Sequence, residues 1–169
     1  IQTNANRYYS GGNLQYSTQQ MSAADNIVAN SSFELDSNSD GWPDNWTSMV
    51  QSGTTATFSW STTAKFGSKS VSISNPTGWA TVSSGLLSYT ADNKYVVSAY
   101  VKTDNTAGTA YVKADFYNST GTWLGQQASY GIKGTNDWTR LQAVIDNVPS
   151  GTTQIQATAG LNAGTGTAY

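Results

Sequence analysis

Hydrophobic and polar residues alternate along most of this chain, and the spacing of apolar positions that marks an amphipathic helix is nearly absent. Because successive side chains of an extended chain point to opposite sides, the alternation predicts strands with one buried and one exposed face. The clearest alternating segments are 94–104, 109–119, 140–145 and 154–161. Turn-forming sequences such as Asn75–Gly78 and Ser119–Gly121 separate such segments. About a dozen short strands at this spacing predict an all-β fold, a sandwich of two antiparallel sheets.

The size and charge of the chain narrow the range of partners. Its 169 residues suit one domain and are enough to bury a sizeable core. Only 11% of them are charged and the net charge is −2, so there is no basic stripe to neutralise nucleic-acid phosphates. The apolar runs are far too short to cross a bilayer. We therefore expect neither a nucleic acid nor a membrane as partner. No signal peptide stands at the start, so a secreted protein would be represented here by its mature form or a fragment.

Side chains that perform acid–base chemistry are scarce. Histidine and cysteine are absent, and Glu34 is the single glutamate among ten acidic residues. Without histidine the commonest general base is missing, and a Ser-His-Asp arrangement is excluded. Aromatic residues are plentiful by contrast, with six tryptophans and ten tyrosines. This composition favours flat rings for stacking over catalysis, and we expect a protein that is not an enzyme.

The first 25 residues differ from the remainder. The segment Arg7–Tyr16 is rich in tyrosine and has Gly11 and Gly12 at its centre, a pattern typical of a β-hairpin around a glycine turn. A disordered terminus is the alternative, because chain ends are often poorly ordered. We divide the chain into a tyrosine-rich extension or linker over residues 1–25 and a sandwich over residues 26–169.

One loop has the composition of a cation site. Oxygen-bearing side chains occupy alternate positions from Asp36 onwards, with glycine at the sixth, and calcium takes six to eight oxygen ligands. The candidate ligands are the side chains of Asp36, Asn38, Asp40 and Asp44 and the backbone carbonyl of Trp42. Thr47 stands at the twelfth position, where an acidic ligand is usual, and Glu34 would have to replace it. We expect a structural calcium ion here; the alternative is a solvated turn rich in Asp, Asn and Ser.

Several segments, taken in their order along the chain, resemble one group of proteins. These segments are Asn26–Glu34, the acidic loop, Gly41–Trp46, Gly67–Ile73, Tyr95–Lys102 and Asp137–Leu141. Their order resembles the carbohydrate-binding modules of families 4, 9, 16 and 22, which occur in bacterial glycoside hydrolases. The resemblance begins at Asn26 and implies a jelly-roll sandwich that binds polysaccharide without catalysis, outside the cell or at its surface.

Two features depart from this pattern. The modules usually close with a strand of the type Tyr-Phe-Asp-Val, whereas the last residues here are Gly166–Tyr169. The closing strand is therefore expected to be cut short or missing. The tyrosine-rich start also resembles the tyrosine–aspartate repeats of large bacterial surface proteins, in which such modules occur as insertions.

Sugars present flat C–H faces and a fringe of hydroxyls, so their sites combine aromatic rings with polar side chains. In the resembling families the glycan lies on a concave sheet face. The expected carbohydrate-binding residues are Trp79, Tyr100, Lys102, Asp115, Tyr117, Trp123 and Gln127. Leu124 and Ala128 are assigned to the core, which turns Trp123 and Gln127 outward. We expect a β-glucan or mannan as ligand; for each single ring, packing within the sheet is the alternative.

Two other functions compete with glycan binding. A glycosidase needs two carboxylates across a cleft, and Asp115 is the only carboxylate on the predicted glycan face. A structural role is the stronger rival, because a sandwich that lacks its last strand has an open edge, which accepts a strand from another chain. The protein would then be a self-associating subunit of an extracellular filament or surface layer, assembled by strand exchange.

Overall fold

The computed structural model describes residues 6–10, 13–17 and 26–169. Strands β1 (Asn6–Ser10) and β2 (Asn13–Ser17) pair antiparallel in a small sheet of their own, with Ser10 opposite Asn13. This is the pairing that the glycine-centred pattern predicts, although Gly11 and Gly12 themselves lie outside the described residues. The boundary placed after residue 25 also lies outside them and stays a prediction.

The other strands build the body of the protein. They are β3 (Trp46–Val50), β4 (Thr57–Ser61), β5 (Ser70–Ser74), β6 (Ala80–Ser84), β7 (Leu87–Ser88), β8 (Tyr95–Tyr117), β9 (Trp123–Ala128), β10 (Ile132–Ile145), β11 (Gln154–Leu161) and β12 (Thr167–Ala168). Every pairing among them is antiparallel. In the part of the chain that the structure describes, no helix is long and apolar enough to span a membrane.

The long strand β8 bends and contributes to two sheets. Its second half pairs with β11 and β9 and forms the first sheet, in the order β3-β6-β11-β8-β9. Its first half pairs with β12 and β10 and forms the second sheet, in the order β4-β5-β12-β8-β10. Asn105, with φ of 50°, separates the two halves in a left-handed conformation that asparagine adopts more readily than most residues. The all-β sandwich predicted from the alternating pattern is confirmed.

The core lies between the two sheets and contains the inward residues of the alternating segments. Val101 and Leu141 of the second sheet are buried with Val112 and Leu161 of the first, and Phe116 is inaccessible to solvent. Burying one such side chain contributes roughly 1.5–3 kcal/mol. The alternation therefore settles which side of each strand faces inward, and the opposite side is left to carry polar and aromatic residues.

The short strand β12 lies in the middle of the second sheet. It pairs with β5 on one side and with β8 on the other, and Tyr169 continues the ladder through two backbone hydrogen bonds with Lys102, of 2.8 and 3.1 Å. The inward residue of β12, Ala168, is buried in the core. That the closing strand of the sandwich is cut short or missing stays a prediction.

Candidate functional site

The outer face of the first sheet forms an open groove of about 590 Å³. Strands β3, β6, β8, β9 and β11 all contribute to it. The lining residues are Met49, Trp79, Thr81, Ser83, Tyr111, Lys113, Asp115, Tyr117, Trp123, Gln126, Gln156 and Asn162. The groove therefore combines apolar rings with amides, hydroxyls and one pair of opposite charges.

Aromatic rings form the sides of this groove. Trp79 precedes β6 and is 37% exposed, and Trp123 begins β9 and is 54% exposed. Tyr111 lies flat against β11, since a Cβ placed on Gly160 would come within 2.6 Å of its ring. A side chain at position 160 would therefore displace this ring from its place. Two exposed indoles and a fixed phenol ring are thus presented to whatever enters the groove.

A buried ion pair forms the floor. The ammonium group of Lys113 lies 2.8 Å from Asp115 Oδ1 and also donates to Gln126 Oε1 at 2.8 Å. The indole N–H of Trp123 donates to the same Asp115 oxygen at 3.1 Å, and the hydroxyl of Thr158 donates to Oδ2 at 2.9 Å. Both oxygens of Asp115 are therefore engaged within the protein, and the floor carries no net charge.

The two tyrosines of the groove keep their hydroxyl protons. Burial, and then the negative charge of Asp115, raise the pKa of Tyr111 and of Tyr117 above the ordinary value of a phenol. At neutral pH both hydroxyls therefore stay protonated. Tyr117 donates to Gln156 Oε1 at 3.1 Å, and the amide nitrogen of Gln156 donates to the carbonyl of Ser84. This chain of hydrogen bonds holds the Tyr117 ring in one orientation.

The structure brings four of the predicted carbohydrate-binding residues together. Trp79, Asp115, Tyr117 and Trp123 all line the groove. Asp115 differs from the exposed polar residue expected there, because it is almost wholly buried. Its contacts show that it fixes Lys113 and Trp123 in place.

Tyr100 and Lys102 do not share a face with Trp123, and that part of the prediction is wrong. Both point outward from the first half of β8, which belongs to the second sheet. Tyr100 packs against Phe66, and Lys102 lies 3.6 Å from Asp137. The alternation predicts correctly which residues of β8 point outward in both halves of the strand. Because β8 bends at Asn105, however, the outward residues before the bend belong to the second sheet and those after it belong to the first.

Gln127 is also placed differently from the prediction. A β-bulge in β9 pairs Phe116 with Gly125 but Tyr117 with Trp123, so one extra residue is inserted. Beyond the bulge the side-chain directions are reversed, and Gln126 faces the groove in place of Gln127. The Gln127 amide instead donates to Asp146 Oδ1 at 2.6 Å, and the residue assigned to the core, Ala128, is exposed.

Eight of the residues that line the groove were not predicted to bind glycan, among them Tyr111, Lys113, Gln126 and Gln156. A signal existed for three of these four. Tyr111 and Lys113 flank the buried Val112, and Gln156 follows the buried Ile155, so the alternation already turns them away from the core. For Gln126 the only local signal is Gly125, because an isolated glycine inside a strand often marks a bulge, and the direction of Gln126 depends on that bulge.

In the acidic loop from Asp36 to Asp44, carboxylate side chains accept hydrogen bonds from the backbone of the loop itself. Asp36 accepts hydrogen bonds from the backbone N–H groups of Asp40 and Gly41, at 3.1 and 3.0 Å. Asp44 accepts one from Ser37 at 3.1 Å. Within residues 26–169 and the two hairpin strands, no three acidic side chains come together as metal ligands. Calcium binding by this loop stays a prediction.

Glu34, the residue proposed to complete the cation site, is engaged elsewhere. Its carboxylate accepts hydrogen bonds from the hydroxyl of Ser68 and from the backbone N–H groups of Ser68 and Lys69, the latter two at 2.9 Å. These bonds, together with the charge of Lys69, hold the pKa of Glu34 below its ordinary value. Gly67 has a φ of 69°, a conformation that favours glycine, and a Cβ there would also contact this carboxylate. Glu34 thus ties the start of the sandwich to the turn before β5.

Three solved structures have the same fold. A family 16 carbohydrate-binding module has a TM-score of 0.56 and 20% sequence identity, over 85% of this chain and 94% of that module. A xylan-binding domain of family 22 has a TM-score of 0.53 and 20% identity, over 77% and 85%. The family 11 module from Clostridium thermocellum, in complex with a β-1,3-1,4-mixed-linked tetrasaccharide, has a TM-score of 0.53 and 16% identity, over 79% and 88%.

Larger proteins contain the same fold as one part. This chain spans 18% of the enzymatically active domain of a bacteriophage CBA120 tailspike protein, with a TM-score of 0.52 and 19% identity. No family model and no curated protein matches the sequence. At these identities the likeness shows the fold. The protein therefore has the jelly-roll fold of the carbohydrate-binding modules, as the order of its sequence segments predicts.

Proposed function

We propose that the protein binds a neutral polysaccharide of the β-glucan, mannan or xylan type in the groove of the first sheet, without catalysing a reaction on it. The observation that carries this proposal is the combination of exposed indoles with a polar floor that has no net charge. Trp79 and Trp123 offer ring faces to the C–H faces of pyranose units, and Gln126 and Tyr111 offer hydrogen bonds to their hydroxyls. The family 22 domain binds xylan, and the family 11 module holds a mixed-linked glucan fragment.

The carboxylates argue for binding rather than hydrolysis. A glycosidase uses one carboxylic acid as general acid and a second carboxylate as base or nucleophile. Among the residues that the structure describes, Asp115 is the only acidic one that lines the groove, and both of its oxygens accept hydrogen bonds from the protein itself. A module of this kind would act outside the cell or at its surface, where polysaccharides are met.

The proposal is tested by affinity electrophoresis and calorimetry of the purified chain with mixed-linked β-glucan, glucomannan and xylan. We expect retardation in at least one of these neutral polysaccharides and competition by its own oligosaccharides. Equal migration in all of them, together with a blank neutral-glycan array, would contradict the proposal.

We also propose that the loop from Asp36 to Asp44 binds a structural calcium ion. The support is the number of oxygen atoms that the loop holds within one short segment, since calcium prefers carboxylate, amide and carbonyl oxygens. A bound ion stabilises the folded state that holds it. We therefore expect a chelator to lower the melting temperature, and added calcium to restore it. The variant Asp40→Asn should lose this response, whereas Asp92→Asn, in another turn, should keep it. A melting curve that neither chelator nor calcium shifts contradicts the proposal.

A further inference from the structure

The outer face of the second sheet, on the opposite side of the protein from the groove, carries exposed aromatic rings. Phe66 is 69% exposed and Tyr100 is 42% exposed. Their ring centroids are 5.5 Å apart and their planes are inclined at 81°, so the two rings form an L-shaped corner open to solvent. Exposed rings gathered in one place are typical of a binding surface.

Cations surround this corner. The ammonium group of Lys65 lies 5.8 Å from the Phe66 ring centroid and 5.6 Å from that of Tyr100. Lys102 follows Tyr100 on the same side of β8, and Arg140 stands directly across from Tyr100 on β10, where it donates to Ser98 at 3.2 Å. We call the set Lys65, Phe66, Tyr100, Lys102 and Arg140 the cationic face.

The carboxylates nearby do not neutralise the cationic face. Asp137 lies 3.6 Å from Lys102, and Asp104 lies two positions beyond Lys102. The backbone N–H of Trp138, and then the positive charge of Lys102, hold the pKa of Asp137 below its ordinary value, and Lys65 acts in the same direction. Among the described residues, no carboxylate lies within ion-pair distance of Lys65 or Arg140, so the face keeps positive charge that is not paired, on a chain whose net charge is −2.

We propose that the cationic face is a second carbohydrate-binding site, and that it takes an acidic polysaccharide whose sugars carry carboxylate groups. The rings supply a stacking surface for a pyranose, as in the groove, while Lys65, Lys102 and Arg140 are in position to pair with carboxylates at its rim. The groove differs in this respect, because Asp115 neutralises Lys113 there. One protein would then hold a neutral glycan on one side and an acidic glycan on the other.

Two probes distinguish the faces: polygalacturonate for the cationic face and mixed-linked β-glucan for the groove. We expect Tyr100→Ala, and the double variant Lys65→Gln with Lys102→Gln, to weaken polygalacturonate binding at least about tenfold while glucan binding is unchanged. Trp123→Ala should have the reverse effect. The double variant Lys94→Gln with Lys133→Gln removes the same charge elsewhere and serves as the control. Binding of polygalacturonate should also weaken steeply with added salt, because exposed charges are screened.

Polyglutamate, a polyanion without sugar rings, tests whether the rings matter. The parent protein should bind polygalacturonate more tightly than polyglutamate, and Tyr100→Ala should abolish that preference. Equal affinity for the two polyanions, as a site for an acidic protein would give, overturns the proposal. Two other results also overturn the proposal. One is that the parent protein does not bind polygalacturonate at low salt, and the other is that Trp123→Ala loses this binding while Tyr100→Ala keeps it. Binding of mixed-linked β-glucan is measured separately. None of these outcomes therefore decides whether the groove binds a neutral polysaccharide.

Discussion

Replacing Trp123 with alanine is expected to weaken binding of a soluble neutral glucan at least about tenfold, or roughly 1.4 kcal/mol. The indole is 54% exposed at the side of the groove, and its N–H is fixed on Asp115 at 3.1 Å. Stacking on a ring held in this way contributes on the order of 1 kcal/mol beyond the area buried. A groove whose affinity comes from a few such contacts loses most of that affinity when one of the contacts is removed. The melting temperature should hardly change, because an exposed ring adds little to the core.

The matched control for Trp123→Ala is Tyr100→Ala. Both changes delete a partly exposed ring from the outer side of a sheet, but Tyr100 belongs to the second sheet. Calorimetry with mixed-linked β-glucan should therefore show a loss for Trp123→Ala and none for Tyr100→Ala. Gln126→Ala and Gln127→Ala form a second pair, in which only Gln126 lines the groove. If Trp123→Ala binds glucan like the parent protein, the groove is not the glycan site.

The alternation of residue types predicts the direction of side chains well, because burial acts on each strand locally. Val112, Ala114 and Phe116 are buried as their spacing predicts, and Leu141 on β10 is too. The same pattern contains no information on which strands are neighbours, since this depends on pairings between residues far apart in the chain. Tyr100 and Tyr117 lie on one strand and on outward positions, yet they belong to different sheets.

The errors within the predicted site also have physical causes. A single extra residue at the bulge beside Gly125 reverses the direction of every following side chain of β9, and the alternation of residue types ignores the one signal for it, a glycine inside the strand. The burial of Asp115 follows from Thr158 on β11 and Trp123 on β9, residues that become its neighbours only after folding. Motifs taken in their order along the chain therefore predicted the fold better than they predicted the site.

Replacing Asp115 with alanine is expected to destabilise the protein by about 3 kcal/mol, because the change breaks a buried ion pair and leaves its cation behind. The side chains of Asp115 and Lys113 are only 6% and 13% exposed, and they are 2.8 Å apart. Removing the carboxylate also takes the acceptor from Trp123 and from Thr158. For a chain of this length such a loss corresponds to a fall of roughly 6–12 °C in melting temperature. Urea unfolding of the variant measures it.

The double variant Asp115→Leu with Lys113→Met separates the ion pair from the space that it fills. With no charge left in the floor, this variant should recover most of the stability lost by Asp115→Ala, since apolar residues of similar volume often replace a buried pair without loss. It should still bind glucan weakly, because the indole of Trp123 has lost the acceptor that fixes it. Asp115→Asn keeps an oxygen acceptor for that indole and should retain more affinity than Asp115→Ala. If Asp115→Ala unfolds at the same urea concentration as the parent protein, the ion pair contributes nothing to stability. The pair would then behave like a solvated pair on the surface, and the prediction would be wrong.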